Sequence, residues 1–161
     1  MHPELIEALN KQLNQELRNA YLYFSMASFL DYKGLQGFSH FFKVQAKEEL
    51  EHALKIYQFI NDRGDRVVLQ VVDAPRQEWR DIVELVSDFY NAERENTERI
   101  WRLMDLARRH GDKACEVFLE WFINEQVEEE KNALELLGKV KMIGDNIGAL
   151  LMLDRVLAER K

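Results

Sequence analysis

Apolar residues return every three or four positions along most of this chain, and four long stretches keep that rhythm. The first runs from about Pro3 to Tyr32, with Leu9, Leu13, Ala20, Tyr23, Ala27 and Leu30 on one face. "KGLQG" interrupts it. A second stretch reaches about Arg63 on Phe38, Phe42, Ile56 and Phe59. The third extends from about Glu78 to Arg109 on Ile82, Val86, Phe89, Ile100, Leu103 and Ala107. "HGD" then supplies Gly111 as terminator and Asp112 as N-cap of a fourth. That stretch runs to about Met142 on Cys115, Leu119, Phe122, Ala133, Leu136 and Val140. Pro3 suits a first helical turn.

The connections set the topology. Short turns join helices one and two, and three and four, so each pair is an antiparallel hairpin. Between the pairs lies "GDRVVLQVVDAPRQE", too long for a turn. Its ~14 residues reach ~45 Å when extended, and a helix of ~28 residues is ~42 Å long. The linker can therefore travel the whole bundle, and helix three starts at the end where helix two also started. The pattern predicts an all-α fold: a four-helix bundle over about 3–142, with one long crossover between helices two and three. After "GDN", with Asp145 as cap, a short fifth C-terminal helix is expected at about 146–158. Its apolar face (Ile147, Leu150, Leu151, Val156, Leu157) asks for a partner, and another subunit is the expected one. Folding back over the bundle end is the alternative. The whole chain, 1–161, reads as a single domain.

Each inward stripe is broken at its middle by polar residues. They are Glu16 in the first helix, Gln45, Glu49 and His52 in the second, Glu93 in the third, and Gln126 and Glu129 in the fourth. The spacing repeats. Glu16 to Glu49 is 33 residues and to His52 is 36, while Glu93 to Gln126 is 33 and to Glu129 is 36. With 19 Glu in 161 residues, chance supplies a Glu at about one position in eight, so such matches inside apolar stripes are informative. Hairpin folding brings all these residues to one level. Residues three apart share a helix face, so Glu49 with His52, and Gln126 with Glu129, address one point in the core.

Four buried carboxylates cannot all stay charged without compensation, and the inward stripes hold no Lys or Arg. One or two metal cations resolve the conflict. Carboxylates with few imidazoles and no thiolate favour iron or manganese over structural zinc. Two metals sharing a carboxylate sit about 3.5–4 Å apart, and Glu49 is the bridging candidate. The competing reading is a satisfied polar core, with Glu49 paired to His52 or an arginine and Glu129 turned to solvent.

Composition narrows the setting. Hydrophobic residues make up 47% of the chain and charged ones 32%, so it can bury a core. A net charge of −7 disfavours nucleic acid. Gly-rich phosphate loops and C-x-x-C pairs are missing. The single Cys115 suits a reducing compartment, "MHPELIEALNKQ" lacks a signal-peptide core, and Asn19–Leu30 is too short to span a bilayer. A cytoplasmic protein without a membrane or nucleic-acid partner is expected.

The stretches "NQELRNAYLYFSMA", "GFSHFFKVQAKEELEHA", "FLEWFINEQVEEEKNALELL" and "LDRVLAER" resemble the non-haem bacterial and archaeal ferritins along essentially the whole chain. The ferritin-like pattern of paired Glu-x-x-His motifs is broken here by Gln126-x-x-Glu129, which points to ferritins rather than bacterioferritin-like or rubrerythrin-like relatives. The resemblance implies a di-iron ferroxidase centre. Glu16, Glu49 and His52 would hold one iron, and Glu49, Glu93 and Glu129 the second. Gln126 would orient oxygen or water. A third iron would lie at Glu48, Glu125, Glu128 and Glu129. Tyr23 matches a tyrosine near the family's centre, as electron donor or hydrogen-bond partner, with an ordinary core tyrosine as the alternative. Trp121 reads as packing. Leu50 occupies the place of the bacterioferritin axial methionine, and neither Met26 nor Met104 matches it, so no haem is expected. The implied function is iron storage and detoxification, with Fe(II) oxidised by O2 or H2O2 and ferric mineral kept inside a homo-oligomeric cage of 24 subunits. Two rivals stay open: a discrete di-iron oxidase or peroxidase without a cavity, and a purely structural bundle.

Overall fold

The computed structural model describes residues 1–161. Its elements are all helical: α1 (Pro3–Tyr32), α2 (Gln36–Asp62), α3 (Ile82–Arg109), α4 (Lys113–Ile143) and α5 (Ile147–Leu157). Helices α1 and α2 pack as one hairpin, α3 and α4 as the other, and α1 crosses onto α3.

Caps explain most of the boundaries. Pro3 stands in the first turn of α1, and His2 Nδ1 accepts from the Glu4 N–H. Asp112 caps α4 as the sequence predicts, accepting from the Cys115 N–H at 3.0 Å. Gly111 makes the reversal before it at φ +64°, a conformation that costs other residues strain. Helix α3 begins at Ile82, four positions later than the apolar pattern suggests. Trp79 is the reason: it is buried, stacks edge-on to Phe29 at 5.5 Å, and donates to Asp88 at 2.7 Å. The chain therefore stays non-helical up to Asp81, whose carboxylate accepts from the Glu84 N–H at 2.8 Å as N-cap. Helix α5 is capped by Asn146 rather than by Asp145. Asn146 immediately precedes the first helical residue, and its side chain accepts from the Ala149 N–H at 3.0 Å.

The crossover runs beside α1 in an extended conformation, and two buried asparagines hold it there. Asn10 donates to the Arg66 carbonyl at 3.1 Å and accepts from the Val68 N–H at 2.7 Å. Asn14 donates to the Val68 carbonyl at 2.9 Å and accepts from the Gln70 N–H at 2.8 Å. Farther along, Ser25 donates to the Arg76 carbonyl at 2.6 Å. Pairing moves up α1 as the crossover advances, so α3 does start beside the start of α2. Each amide side chain satisfies backbone groups that a loop over a helix cannot pair with itself. Replacing Asn14 with Ala is expected to cost about 1–3 kcal/mol, the penalty of orphaned polar groups. Urea denaturation reads that loss, and limited proteolysis should cut the crossover sooner.

Two apolar clusters fill the bundle, one at each end. Tyr23, Leu30, Phe38, Phe42, Phe89 and Val140 belong to the first, and Leu5, Leu9, Ile56, Ile100, Leu119 and Phe122 to the second. A polar layer separates them. Helix α5 closes the first end and divides the expected apolar face. Leu150, Leu153 and Leu157 pack on the bundle, while Ile147, Leu151, Met152 and Val156 remain exposed. Its seat on α2 is specific, because Asp154 accepts from the Phe38 N–H at 2.8 Å. A methyl group at Gly37 would overlap the Asp154 carbonyl. Gly37→Ala is therefore expected to lift α5 from the bundle, seen as rapid tryptic loss of the C-terminal segment with the bundle still folded. No helix is long and apolar enough to cross a membrane.

Candidate metal centre

The polar layer is built from inward positions of all four bundle helices. Glu16, Gln45, Glu49, His52, Glu93, Gln126 and Glu129 are all buried. Ligand atoms of Glu16, Glu49 and His52 lie within 4.8 Å of one another, and so do those of Glu49, Glu93 and Glu129. Glu49 belongs to both groups. His52 Nδ1 stands 3.5 Å from Glu49 Oε2 and 3.8 Å from Glu16 Oε2. Both His52 Nδ1 and Glu49 Oε2 are buried without a hydrogen-bond partner. Such orphans cost about 1–3 kcal/mol each, and a cation between them removes the penalty.

Burial and mutual repulsion shape the protonation of the layer. Burial, joined by the charges of Glu93 and Glu16, holds the Glu49 carboxyl well above its usual range. Burial and Glu93 push Glu129 up to about 8. Burial also raises Glu93, against hydrogen bonds from Tyr23 and Gln126. For His52 burial works against the imidazolium, yet the nearby carboxylate of Glu16, with the charges of Glu129 and Glu125, pushes it up to about 9. Glu16 is lowered: burial opposes ionisation, but the adjacent His52 and the hydrogen bond from Gln12 outweigh it. Without metal the layer thus retains protons that a bound cation would displace.

Neutral amides orient the carboxylates. Gln12 donates to Glu16 at 2.9 Å and to the Asn96 side-chain oxygen at 2.9 Å. Gln45 donates to Glu129 at 2.6 Å and, more weakly, to Glu49 at 3.4 Å. Gln126 donates to Glu93 Oε2 at 3.2 Å, and the Tyr23 hydroxyl donates to Glu93 Oε1 at 2.5 Å. Gln12, Asn96 and the role of Gln45 escape a reading of stripes alone. One signal was present: Gln12 and Gln45 each precede a candidate ligand by four residues, the spacing at which helix neighbours touch.

The remaining candidates separate. Glu125 joins His52 and Glu129 in a third group within 4.8 Å, with His52 Nε2 3.8 Å from Glu125 Oε1. Glu48 is instead paired with Arg160 at 3.0 Å, and Glu128 is exposed. Neither joins a ligand group. Trp121 is partly exposed and lies edge-on to Phe122 at 4.9 Å and to His52 at 5.4 Å. A further surface group of His2, Glu4 and His110 lies at the far end. Its two imidazoles are stacked at 3.8 Å and only 17° apart, so their in-plane lone pairs run side by side instead of converging on one ion.

An all-α bundle with two overlapping acidic groups buried at mid-height, sharing one carboxylate, defines a class of helical bundles with a carboxylate-rich layer that could hold metal. Residues 6–143 match the family model described as Ferritin-like domain; the chain belongs to the ferritin family. It is 41% identical over 157 residues to the bacterial non-heme ferritin of Staphylococcus epidermidis, covering 98% of this chain and 95% of that one. The Staphylococcus aureus bacterial non-heme ferritin is 40% identical over 156 residues, covering 97% and 94%. Among solved structures, an open pore ferritin of the hyperthermophilic archaeon Archaeoglobus fulgidus superposes with a TM-score of 0.99 at 43% identity, covering 100% of this chain and 99% of that one.

Proposed function

We propose that this chain is an iron-storage and iron-detoxifying subunit whose buried centre oxidises Fe(II). The observation that carries the reading is the facing pair of unpartnered atoms, Glu49 Oε2 and His52 Nδ1, inside two acidic groups that share Glu49. One ferrous ion would take Glu16, Glu49 and His52, and the second Glu49, Glu93 and Glu129. Tyr23 steadies Glu93 through its hydroxyl. Gln126, a neutral donor beside the second position, would orient water or oxygen. Carboxylate oxygens favour ferric over ferrous iron, so the ligand set lowers the potential and lets O2 or H2O2 take the electrons. Glu125 and Glu129 are the better placed members of a third iron position, since Arg160 holds Glu48 and Glu128 faces outward.

Storage requires a shell. The uncovered α5 face, with Ile147, Leu151, Met152 and Val156 exposed, supports contact between copies, and a 24-subunit homo-oligomer is the assembly we infer. Residues 1–161 would act as one domain in the cytoplasm, where a lone buried thiol at Cys115 stays reduced. Aerobic Fe(II) loading followed by size-exclusion chromatography tests the reading. A large species carrying far more iron than its centres can hold is expected. A small species with stoichiometric iron would support a discrete di-iron enzyme and overturn storage.

A further inference from the structure

Beyond α5, the residue that reaches the bundle is Arg160, immediately after the short turn that ends the helix. Its guanidinium lies over the Phe41 ring at 4.2 Å and donates to the Phe41 carbonyl at 3.1 Å. It also donates to Gln45 Oε1 at 3.1 Å and Glu48 Oε2 at 3.0 Å. The Arg160 carbonyl in turn meets His40 Nε2. With Asp154 on the Phe38 N–H and Gly37 under the Asp154 carbonyl, the tail has a built seat on α2. The seat spans about three turns of that helix, from Gly37 to Glu48.

Gln45 is the link from this seat to the centre. A primary amide has an accepting end and a donating end, and a half-turn exchanges them. Glu129 Oε2 and Glu49 Oε1 accept from Gln45 at 2.6 and 3.4 Å, so the end facing them is Nε2. A guanidinium donates only and never loses its proton, so the end facing Arg160 must be Oε1. The two demands agree, and the cation outside the bundle fixes the orientation of an amide inside it. Without Arg160, the Gln45 oxygen loses its partner, and the amide is free to turn and present an acceptor to Glu129.

We infer that Arg160 is a positioning residue for the buried centre, acting through Gln45 to hold Glu129 and Glu49 in register for metal. The docked C-terminal segment is thereby coupled to the metal site. This rests on the metal-centre reading above, and its test uses metal binding, not oxidation. Wild type, Arg160→Ala, Arg160→Lys, Gln45→Leu and the Arg160→Ala/Gln45→Leu double variant are titrated anaerobically with Co(II), whose visible absorption reports ligand geometry. Arg160→Ala is expected to weaken Co(II) binding roughly tenfold, the lower range for losing an orienting partner of a ligand, and to alter the spectrum. Lysine, which keeps a donor, should recover most of both. In the Gln45→Leu background the alanine change should have no further effect, since its route is gone. Equal losses with and without Gln45 would mean that Arg160 only pins the tail, and would overturn the inference, as would an unchanged spectrum and affinity in Arg160→Ala. A wild-type protein that binds no Co(II) in the bundle would overturn the metal-centre reading, and this inference with it.

Discussion

Replacing Glu49 with glutamine is expected to slow rapid Fe(II) oxidation by roughly 100-fold or more while stabilising the metal-free protein. The first effect follows from position. Glu49 is the one side chain common to both acidic groups, so its loss removes a ligand from each. Losing even an outer partner of a ligand costs roughly 10–100-fold in affinity or activity. The second effect follows from burial. Glu49 is fully buried between Glu93 and Glu16, and both burial and these neighbours oppose its charge. Glutamine keeps the shape and the acceptor that meets Gln45. His52 keeps Glu16 at 3.8 Å. Removing a buried carboxyl whose ionisation the site opposes is expected to stabilise the metal-free protein by about 1–4 kcal/mol. Stopped-flow oxidation and thermal melts of the metal-free proteins read the two effects. Opposite signs mark a functional site kept at the expense of the fold. Unchanged oxidation with raised stability would favour the structural-bundle reading instead.

That opposition is also why the centre was visible in the sequence. Apolar stripes of α1, α2, α3 and α4 repeat at the helix period, so a glutamate at an inward position such as Glu16 or Glu93 stands out against its neighbours. The equal spacings to Glu49 and Gln126, and to His52 and Glu129, follow from hairpins of matching length. Both groups of ligand atoms come together at one level because those spacings do. Arg160 could not be read in the same way. It lies beyond the last stripe, and its reach to Gln45 depends on how α5 turns back over Gly37. Asn10 and Asn14 were hidden for a related reason, since their partners are backbone groups of a crossover with no periodicity of its own. Helix α3 starts later than the apolar pattern predicts because Trp79 satisfies that pattern while its indole anchors a non-helical segment. Local period reveals which face turns inward, whereas contacts made by tails and loops depend on the whole fold.

Stability of the metal-free protein is expected to fall as pH rises from about 5 to 9, and bound metal should reverse the trend. Glu129 has its folded value pushed up to about 8, mainly by burial, against an unfolded value near 4.5. Between these values the folded chain holds a proton that the unfolded chain has released. Stability therefore declines with pH across that window, and the contribution of this proton is gone once pH passes the folded value. Glu49 and Glu93 are raised as well and act in the same sense. His52, raised from 6.5 to about 9, extends the decline to the alkaline end. Its shift and the lowered value of Glu16 describe one ion pair, so the two count once; below the carboxylate range, protonation of Glu16 adds a loss on the acid side. A bound cation needs these groups deprotonated, so metal binding releases protons and tightens as pH rises. Thermal melts from pH 5 to 9, with and without Zn(II) or Co(II) under anaerobic conditions, should diverge steadily toward high pH. Glu129→Gln should flatten the metal-free slope between about pH 5 and 8. A metal-free protein that gained stability across this range would mean that the layer is already compensated within the chain, and the case for a cation at its centre would fail.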